Sequence, residues 1–209
     1  MGGITVFGAG GRAGRAAVAE AVRRGHAVTA VVREPQSHRD LAAEGVHLVA
    51  GDVTDAAAVA RYAEGRDAVL AAVYDPAADP AAFFAAAAGA LGEGMASAGA
   101  ERLLFVGLAS VLPDAAGTPL MDTPGYPQEY RGFYLAHAAG RDALAATGLD
   151  WLVLSPSGDF DHGGAPTGGY RTAPADAAAR IAYGDFALAL LDEAERPRHH
   201  RMHLGVTRA

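Results

Sequence analysis

The stretch Ile4-Thr5-Val6-Phe7-Gly8-Ala9-Gly10-Gly11-Arg12-Ala13-Gly14 decides the fold. Four residues that suit a strand run directly into a glycine-rich turn, and an alanine-rich helical pattern continues to residue 24. Glycines let such a turn close tightly and let backbone N–H groups approach a pyrophosphate, which then rests on the positive end of the helix. A second strand pattern, residues 27–32, arrives after that single helix, as a dinucleotide-binding βαβ unit requires. The spacing is Gly8-x-x-Gly11-x-x-Gly14 with Gly10 inside it, so Gly8, Gly10, Gly11, Arg12, Ala13 and Gly14 are the expected phosphate cradle. A glycine turn that holds no ligand is the plain alternative.

Outward from this unit, strand and helix patterns alternate. Strands are expected at 3–8, 27–32, 46–50, 68–73, 102–107 and 151–154, with helices at 12–24, 37–44, 55–63, 80–98 and 131–147. The strands are short, continuous and apolar, as when helices cover both faces of a parallel sheet. The expected architecture is a single α/β domain over residues 1–209, a Rossmann-type, doubly wound, mainly parallel sheet. Two stretches are irregular: 108–130 holds four prolines and two glycines, and 155–175 holds three prolines and five glycines. Both follow strand ends, where open α/β sheets bind ligands. Residues 169–172 suit a short extra strand, a helix resumes at 182, where Asp185 falls in the first turn, and 203–207 suit a closing strand.

Composition narrows the partners. With 209 residues there is room for a full core but little for a separate substrate domain. No cysteine is present, which excludes disulfides, thiol nucleophiles and thiolate metal sites. A formal net charge of -7 argues against general nucleic-acid binding. No stretch is expected to reach the roughly 18 to 20 apolar residues of a membrane span, and no signal peptide is expected before the first strand, so the expected location is cytoplasmic. All 17 basic residues are arginine. Asp159, Asp161 and His162 lie close together, but without the spacing of a metal site, and none is expected. His199, His200 and His203 read as surface residues on an edge strand.

Arg33 ends the second strand, where NAD-specific domains place an acidic residue on the ribose 2′-hydroxyl. A guanidinium there suits a 2′-phosphate, which favours NADP(H) over NAD(H). Glu34 next to it is the alternative, as a ribose ligand beside a solvated Arg33. Arg12 either adds charge near the phosphates or is solvated. Asp52 and Val53 follow the third strand; Asp52 either meets the adenine amino group or, like Thr54, caps the next helix. Val73 and Tyr74, ending the fourth strand, would border the cofactor.

Taken together, these segments resemble the atypical short-chain dehydrogenase/reductases of the NAD(P)H-binding, NmrA-like group. Within it they are most similar to bacterial NADH-flavin reductases, relatives of the flavin reductase that also acts as biliverdin reductase B. The resemblance covers the glycine loop at 8–14, GDVTD at 51–55, LLFVGLAS at 103–110, DWLVLSPSGDF at 150–160 and IAYGDFALALLDE at 181–193. It implies a Rossmann fold, bound NADPH or NADH, and reduction of flavins or other conjugated acceptors. It places phosphates on Gly8, Gly11, Arg12, Gly14 and Arg33, adenine on Asp52, and the nicotinamide between Ser110 and Pro156. Two departures stand out: the loop usually reads GATGxxG, with threonine where Gly10 stands, and LAS replaces the GAGS that often precedes the serine.

In short-chain reductases the serine works with the tyrosine and lysine of a YxxxK motif. Tyr126, Tyr130 and Tyr134 fall in the right region, but Tyr134 is followed four residues later by Ala138, and the chain contains no lysine. The usual relay that lowers a tyrosine's pKa is therefore missing. Ser110, Tyr134 and His137 are the candidate catalytic groups, with His137 either replacing the lysine, protonating a substrate, or simply packed. The function implied is an NAD(P)H-dependent reductase of a flat small-molecule acceptor, flavin or quinone, needing no Tyr–Lys pair. The alternative is a non-catalytic NADP(H) sensor, and either would be a monomer or homodimer.

Overall fold

The computed structural model describes residues 2–209. Its first half runs β1 (Gly3–Phe7), α1 (Arg12–Arg23), β2 (Ala27–Val32), a 3-10 segment (Pro35–Leu41), β3 (Val46–Ala50), α2 (Ala56–Ala63), β4 (Ala68–Ala71) and α3 (Pro80–Ala98). The second half runs β5 (Arg102–Val106), 3-10 turns at Ala109–Val111 and Leu120–Asp122, α4 (Arg131–Ala145) and β6 (Asp150–Pro156). It closes with β7 (Asp159–Asp161), β8 (Tyr170–Thr172), β9 (Arg180–Ala182), α5 (Tyr183–Glu195) and β10 (Met202–Arg208).

Eight strands form one sheet in the order β3-β2-β1-β4-β5-β6-β10-β8. All neighbours are parallel except β8, which runs antiparallel to β10. The chain leaves β1 for β2 on one side and returns to β4 on the other. That reversal opens a crevice over the C-terminal ends of β1 and β4, the ligand position of a doubly wound sheet. The pleat divides the core by face. Ile4 and Val6 pack with Val18 of α1 and Phe186 and Leu190 of α5. Phe7 lies on the other face with Val59 of α2, Phe84 and Leu91 of α3, and Leu144 of α4.

Four expectations change. The 37–44 helix is instead the 3-10 run Pro35–Leu41, two short turns joined at His38, whose non-helical backbone (φ -132°, ψ 28°) interrupts any α-helical ladder. The segment after β6 is not only loop, since β7 and β9 pair in a separate parallel ribbon. The helix α3, 19 residues with a mean hydropathy of 1.2, is by length and composition long and apolar enough to cross a membrane, which corrects the expectation that no stretch is. Alanine supplies much of its apolarity, and Phe84, Leu91 and Met95 on its inner face are buried in the domain core. The last strand, finally, is not an edge: β10 is inserted between β6 and β8. His203 is half-buried rather than on the surface, set beside Gly107, Val153 and His137, with Nε2 2.7 Å from Ser155 Oγ.

One buried ion pair fastens α5 to the bottom of the sheet. Arg102 and Glu193 side chains are 6% and 7% exposed and meet at 3.0 Å. Glu193 also accepts from His199 Nδ1 at 2.7 Å and from the backbone N–H groups of Arg198 and His199. These donors hold its carboxyl below the usual range despite burial. Removing Glu193 leaves the buried Arg102 with only the more exposed Asp150, 3.1 Å away, as counter-charge, a cost that approaches about 3–5 kcal/mol. Glu193→Ala is expected to lower the urea unfolding free energy by about that amount. The double variant Arg102→Met/Glu193→Leu is expected to lose less than the two single variants together.

Candidate functional site

The glycine loop is built by the absence of side chains. Gly8 adopts φ +73°, and a Cβ there would lie 2.1 Å from the Ala72 carbonyl oxygen; one on Gly14 would lie 2.2 Å from that of Gly8. Strand, loop and helix therefore touch backbone to backbone. Gly8 and Ala9 N–H groups donate to Val31 O, and Gly11 N–H donates to Gly8 O at 3.0 Å, which ties the turn to β2 and to itself. Gly11 is the N-cap of α1, with no side-chain cap and no acidic residue in the first turn. The helix thus presents unneutralised N–H groups and its positive end to the crevice. This is a cradle for an anion, and only a backbone free of Cβ atoms forms it.

Two adjoining cavities run along the strand ends from this loop, sharing Gly11, Ala72, Val73 and Tyr74. The first, about 310 Å³, is walled by Gly8, Gly10, Arg33, His38, Asp52 and Val53, among others. Arg33 reaches into it and is ion-paired with Asp75, whose carboxyl is held low by the Ala77 N–H and by that guanidinium. Glu34 does not line it. Asp52 Oδ1 accepts from Thr54 N (2.9 Å) and Thr54 Oγ1 (2.8 Å), and Oδ2 has no hydrogen-bond partner among the described residues. The cap of α2 is neither Asp52 nor Thr54 but Asp55, which accepts from Ala57 N.

The second cavity, about 370 Å³, is walled by Arg12, Ala13, Gly107, His137, Phe160 and Tyr183, among others. Phe160 stacks on Tyr183 at 4.3 Å. Arg12 Nη1 and Tyr183 Oη both meet His162 Nδ1, at 3.0 and 2.9 Å, linking the glycine loop to the 159–169 segment. Asp185, fully buried in the first turn of α5, holds that segment by accepting from the backbone N–H groups of Thr167 and Gly168 and from Thr167 Oγ1. A third hollow, about 410 Å³, opens between the two long loops, with Tyr126, Tyr134, Asp159 and Arg180 on its walls.

The candidate catalytic groups separate. His137 lines the second cavity, packed against Phe84 (4.0 Å) and Phe133 (4.7 Å), and burial lowers its pKa to about 4. It also faces His203 and Arg141 across a void of about 10 Å³. Burial, then the charges of Arg141 and His137, lower His203 to about 3. Tyr134 lies in the third hollow, edge-on to Tyr126 at 5.5 Å, and burial raises its phenol pKa rather than lowering it. Ser110 is fully buried, its hydroxyl has no partner, and it lines none of the three spaces. Pro156 is buried at the end of β6 opposite Val206 and lines none of them either. Sequence reasoning did not single out His38, Asp75 or Phe160. Only their positions just after strand ends could have marked them.

The fold, the bare glycine cradle and the free helix end define a dinucleotide-binding Rossmann protein. A family model described as NAD(P)H-binding matches residues 8–197, and the chain belongs to that family. It is 34% identical over 205 residues to the "uncharacterized protein YwnB" of Bacillus subtilis (strain 168), covering 94% of this chain and 93% of that one. Among solved structures it is similar to SP1627 of Streptococcus pneumoniae TIGR4, named a "putative NADH-flavin reductase", with a TM-score of 0.85, 29% identity and full coverage of both chains. A "putative exported protein" of Burkholderia pseudomallei gives a TM-score of 0.83 at 34% identity, over 99% of this chain and 100% of that one.

The half-buried His137 and His203 make stability depend on acid. Their folded pKa values lie below the ordinary value near 6.5, so the unfolded chain binds more protons as pH falls. Their contribution is complete above about pH 6.5 and is lost as pH falls toward 4 and then 3. Urea midpoints measured between pH 7 and pH 5, above the carboxylate range, are expected to fall for the wild type. The fall should be shallower in His137→Phe, which keeps the ring packing against Phe84 and Phe133. An equal slope in both proteins would show that His137 is not buried neutral.

Proposed function

We propose that the protein is an NADPH-preferring reductase that passes hydride to a flat, conjugated acceptor such as a flavin or quinone. The observation that carries this reading is the make-up of the crevice: Arg33 and the bare glycine loop wall the first cavity, while His137 and the stacked Phe160 and Tyr183 wall the second, with Arg12 joining it to the loop. When bound, the dihydronicotinamide supplies the hydride, and the acceptor takes up a proton besides. The glycine loop fits its pyrophosphate, and Asp52 Oδ2 is free to accept from an adenine amino group. Arg33 is the cation available to a 2′-phosphate, whereas Glu34 lies off the cavity wall.

At neutral pH a histidine of pKa about 4 is charged in only about one molecule in a thousand, so His137 is a poor acid and a good apolar wall. Tyr134, whose phenol pKa burial raises, is a poor acid as well. A reaction whose proton comes from solvent is therefore favoured, and what the chain must supply is position. Phe160 and Tyr183 give a flat wall to the nicotinamide end, and the hollow between Tyr126 and Arg180 gives the acceptor a place beside it. We place the protein in the cytoplasm, with a small molecule as its partner, as monomer or homodimer. The lack of a competent acid equally suits the sensor reading, in which bound NADP(H) is a signal.

Titration with NADPH and NADH, followed by addition of FMN while absorbance at the nicotinamide band is recorded, separates these readings. Preferential NADPH binding with turnover is the expected outcome; binding without turnover on flavins or quinones would support the sensor. Arg33→Ala is expected to weaken NADPH about tenfold or more, as loss of a charge-assisted contact does, with NADH within about twofold. Asp75→Asn, which frees Arg33 while keeping an acceptor for the Ala77 N–H, is expected to tighten NADPH severalfold.

A further inference from the structure

We propose that His38 is a second ligand of the cofactor's 2′-phosphate, acting beside Arg33; this rests on the NADPH reading above. The ring is held by a bracket. Arg15, in the first turn of α1, donates from Nε to the Gly10 carbonyl (2.9 Å) and from Nη2 to His38 Nδ1 (3.1 Å), and is ion-paired with Asp40. A guanidinium only donates, so Nδ1 must accept, and the neutral imidazole carries its hydrogen on Nε2. Among the described residues no protein group takes that hydrogen.

The free edge lies against the glycine loop, and His38 lines the cavity beside it. A Cβ on Gly10 would come within 2.6 Å of both Nε2 and Cε1 of His38. The Nε2 edge thus lies directly over the bare loop, on the wall of the 310 Å³ cavity that also holds Arg33. The backbone break at His38 is part of the same arrangement, being the one non-helical step in the Pro35–Leu41 run. It also accounts for the departure at Gly10. A threonine there, as in the loops this one resembles, would drive its Cβ into the imidazole.

A directed N–H and a guanidinium on one cavity wall fit a phosphomonoester, whose several oxygens can take both at once. A ribose hydroxyl offers a single oxygen and no charge. The pair therefore selects for the 2′-phosphate, with Arg33 supplying charge and His38 a fixed direction.

Calorimetric titration with adenosine 2′,5′-bisphosphate and with AMP tests this, because the two probes differ in the 2′-phosphate. The wild type is expected to bind the bisphosphate at least about tenfold more tightly. His38→Phe, which keeps a ring over Gly10 without a donor, should lower bisphosphate affinity about tenfold and leave AMP within about twofold. Gly10→Ala, which displaces the ring, should match it, and His38→Gln, which restores an N–H, should recover much of the loss. If the wild type does not prefer the bisphosphate, the NADPH reading fails and this proposal with it. If it does, and His38→Phe keeps the preference or weakens both probes equally, the proposal alone is overturned.

Discussion

Everything in the crevice depends on one steric constraint, the close approach of three pieces of backbone at Gly8, Gly14 and Ala72. Hypothetical Cβ atoms at the two glycines would sit near 2 Å from carbonyl oxygens, well inside any real contact. Because no side chain intervenes, α1 begins immediately beyond β1 and its open N-terminus stands over the sheet. The same closeness brings β4's end, Val73 and Tyr74, beside the loop, so one bare surface serves both cavities. Substituting either glycine would separate helix from strand and remove the anion cradle as a unit.

Electrostatics then divides the crevice. At the phosphate end, Arg33 and Arg15 are held by Asp75 and Asp40 rather than left to solvent, and each also touches the cavity or its rim. In the second cavity burial favours the neutral form of His137, and it does the same for His203 behind it and for the phenol of Tyr134 in the neighbouring hollow. On the proposed reading, such a site takes the charged part of its ligand at Arg33 and the glycine loop and sets a planar group against Phe160 and Tyr183. The boundary between the two ends is Tyr74, which packs edge-on to Phe133 at 5.1 Å while lining both cavities.

The sheet and the glycine loop were legible in the sequence because both are local. Period, apolar run length and glycine spacing are written within a dozen residues, and β1, α1, β2 and β3 fell where these signals put them. The Arg33 and Asp52 positions followed from counting along one βαβ unit. What was not legible depends on distant pairing. His203 reads as surface until β6 and α4 are seen to flank it through Ser155, Val153, His137 and Arg141, a meeting of distant segments that no local pattern encodes. His38 looks like loop filler until Arg15, 23 residues earlier, is found holding its ring. Ser110 shows the opposite failure, since its local signal was good but its hydroxyl points into the protein, away from the spaces where a carbonyl could lie.

The absence of lysine ties these features together. A lysine beside a tyrosine serves the usual relay because its ammonium is compact and its pKa can shift, so that it can lower the phenol's pKa and pass a proton. Arginine can do the first but not the second. The arginine on this face of α4, Arg141, lies a further turn along, paired with Asp142 and separated from the crevice by His137. Its charge acts on His203, pushing that ring further toward neutrality, rather than on any phenol in the cleft. Arginine has meanwhile taken the structural posts, bolting α5 through Arg102 and bracketing the loop through Arg15. On the proposed reading, a chain built this way keeps anion recognition and leaves acid catalysis aside, so that the cofactor carries the reacting electrons and the protein fixes the distance.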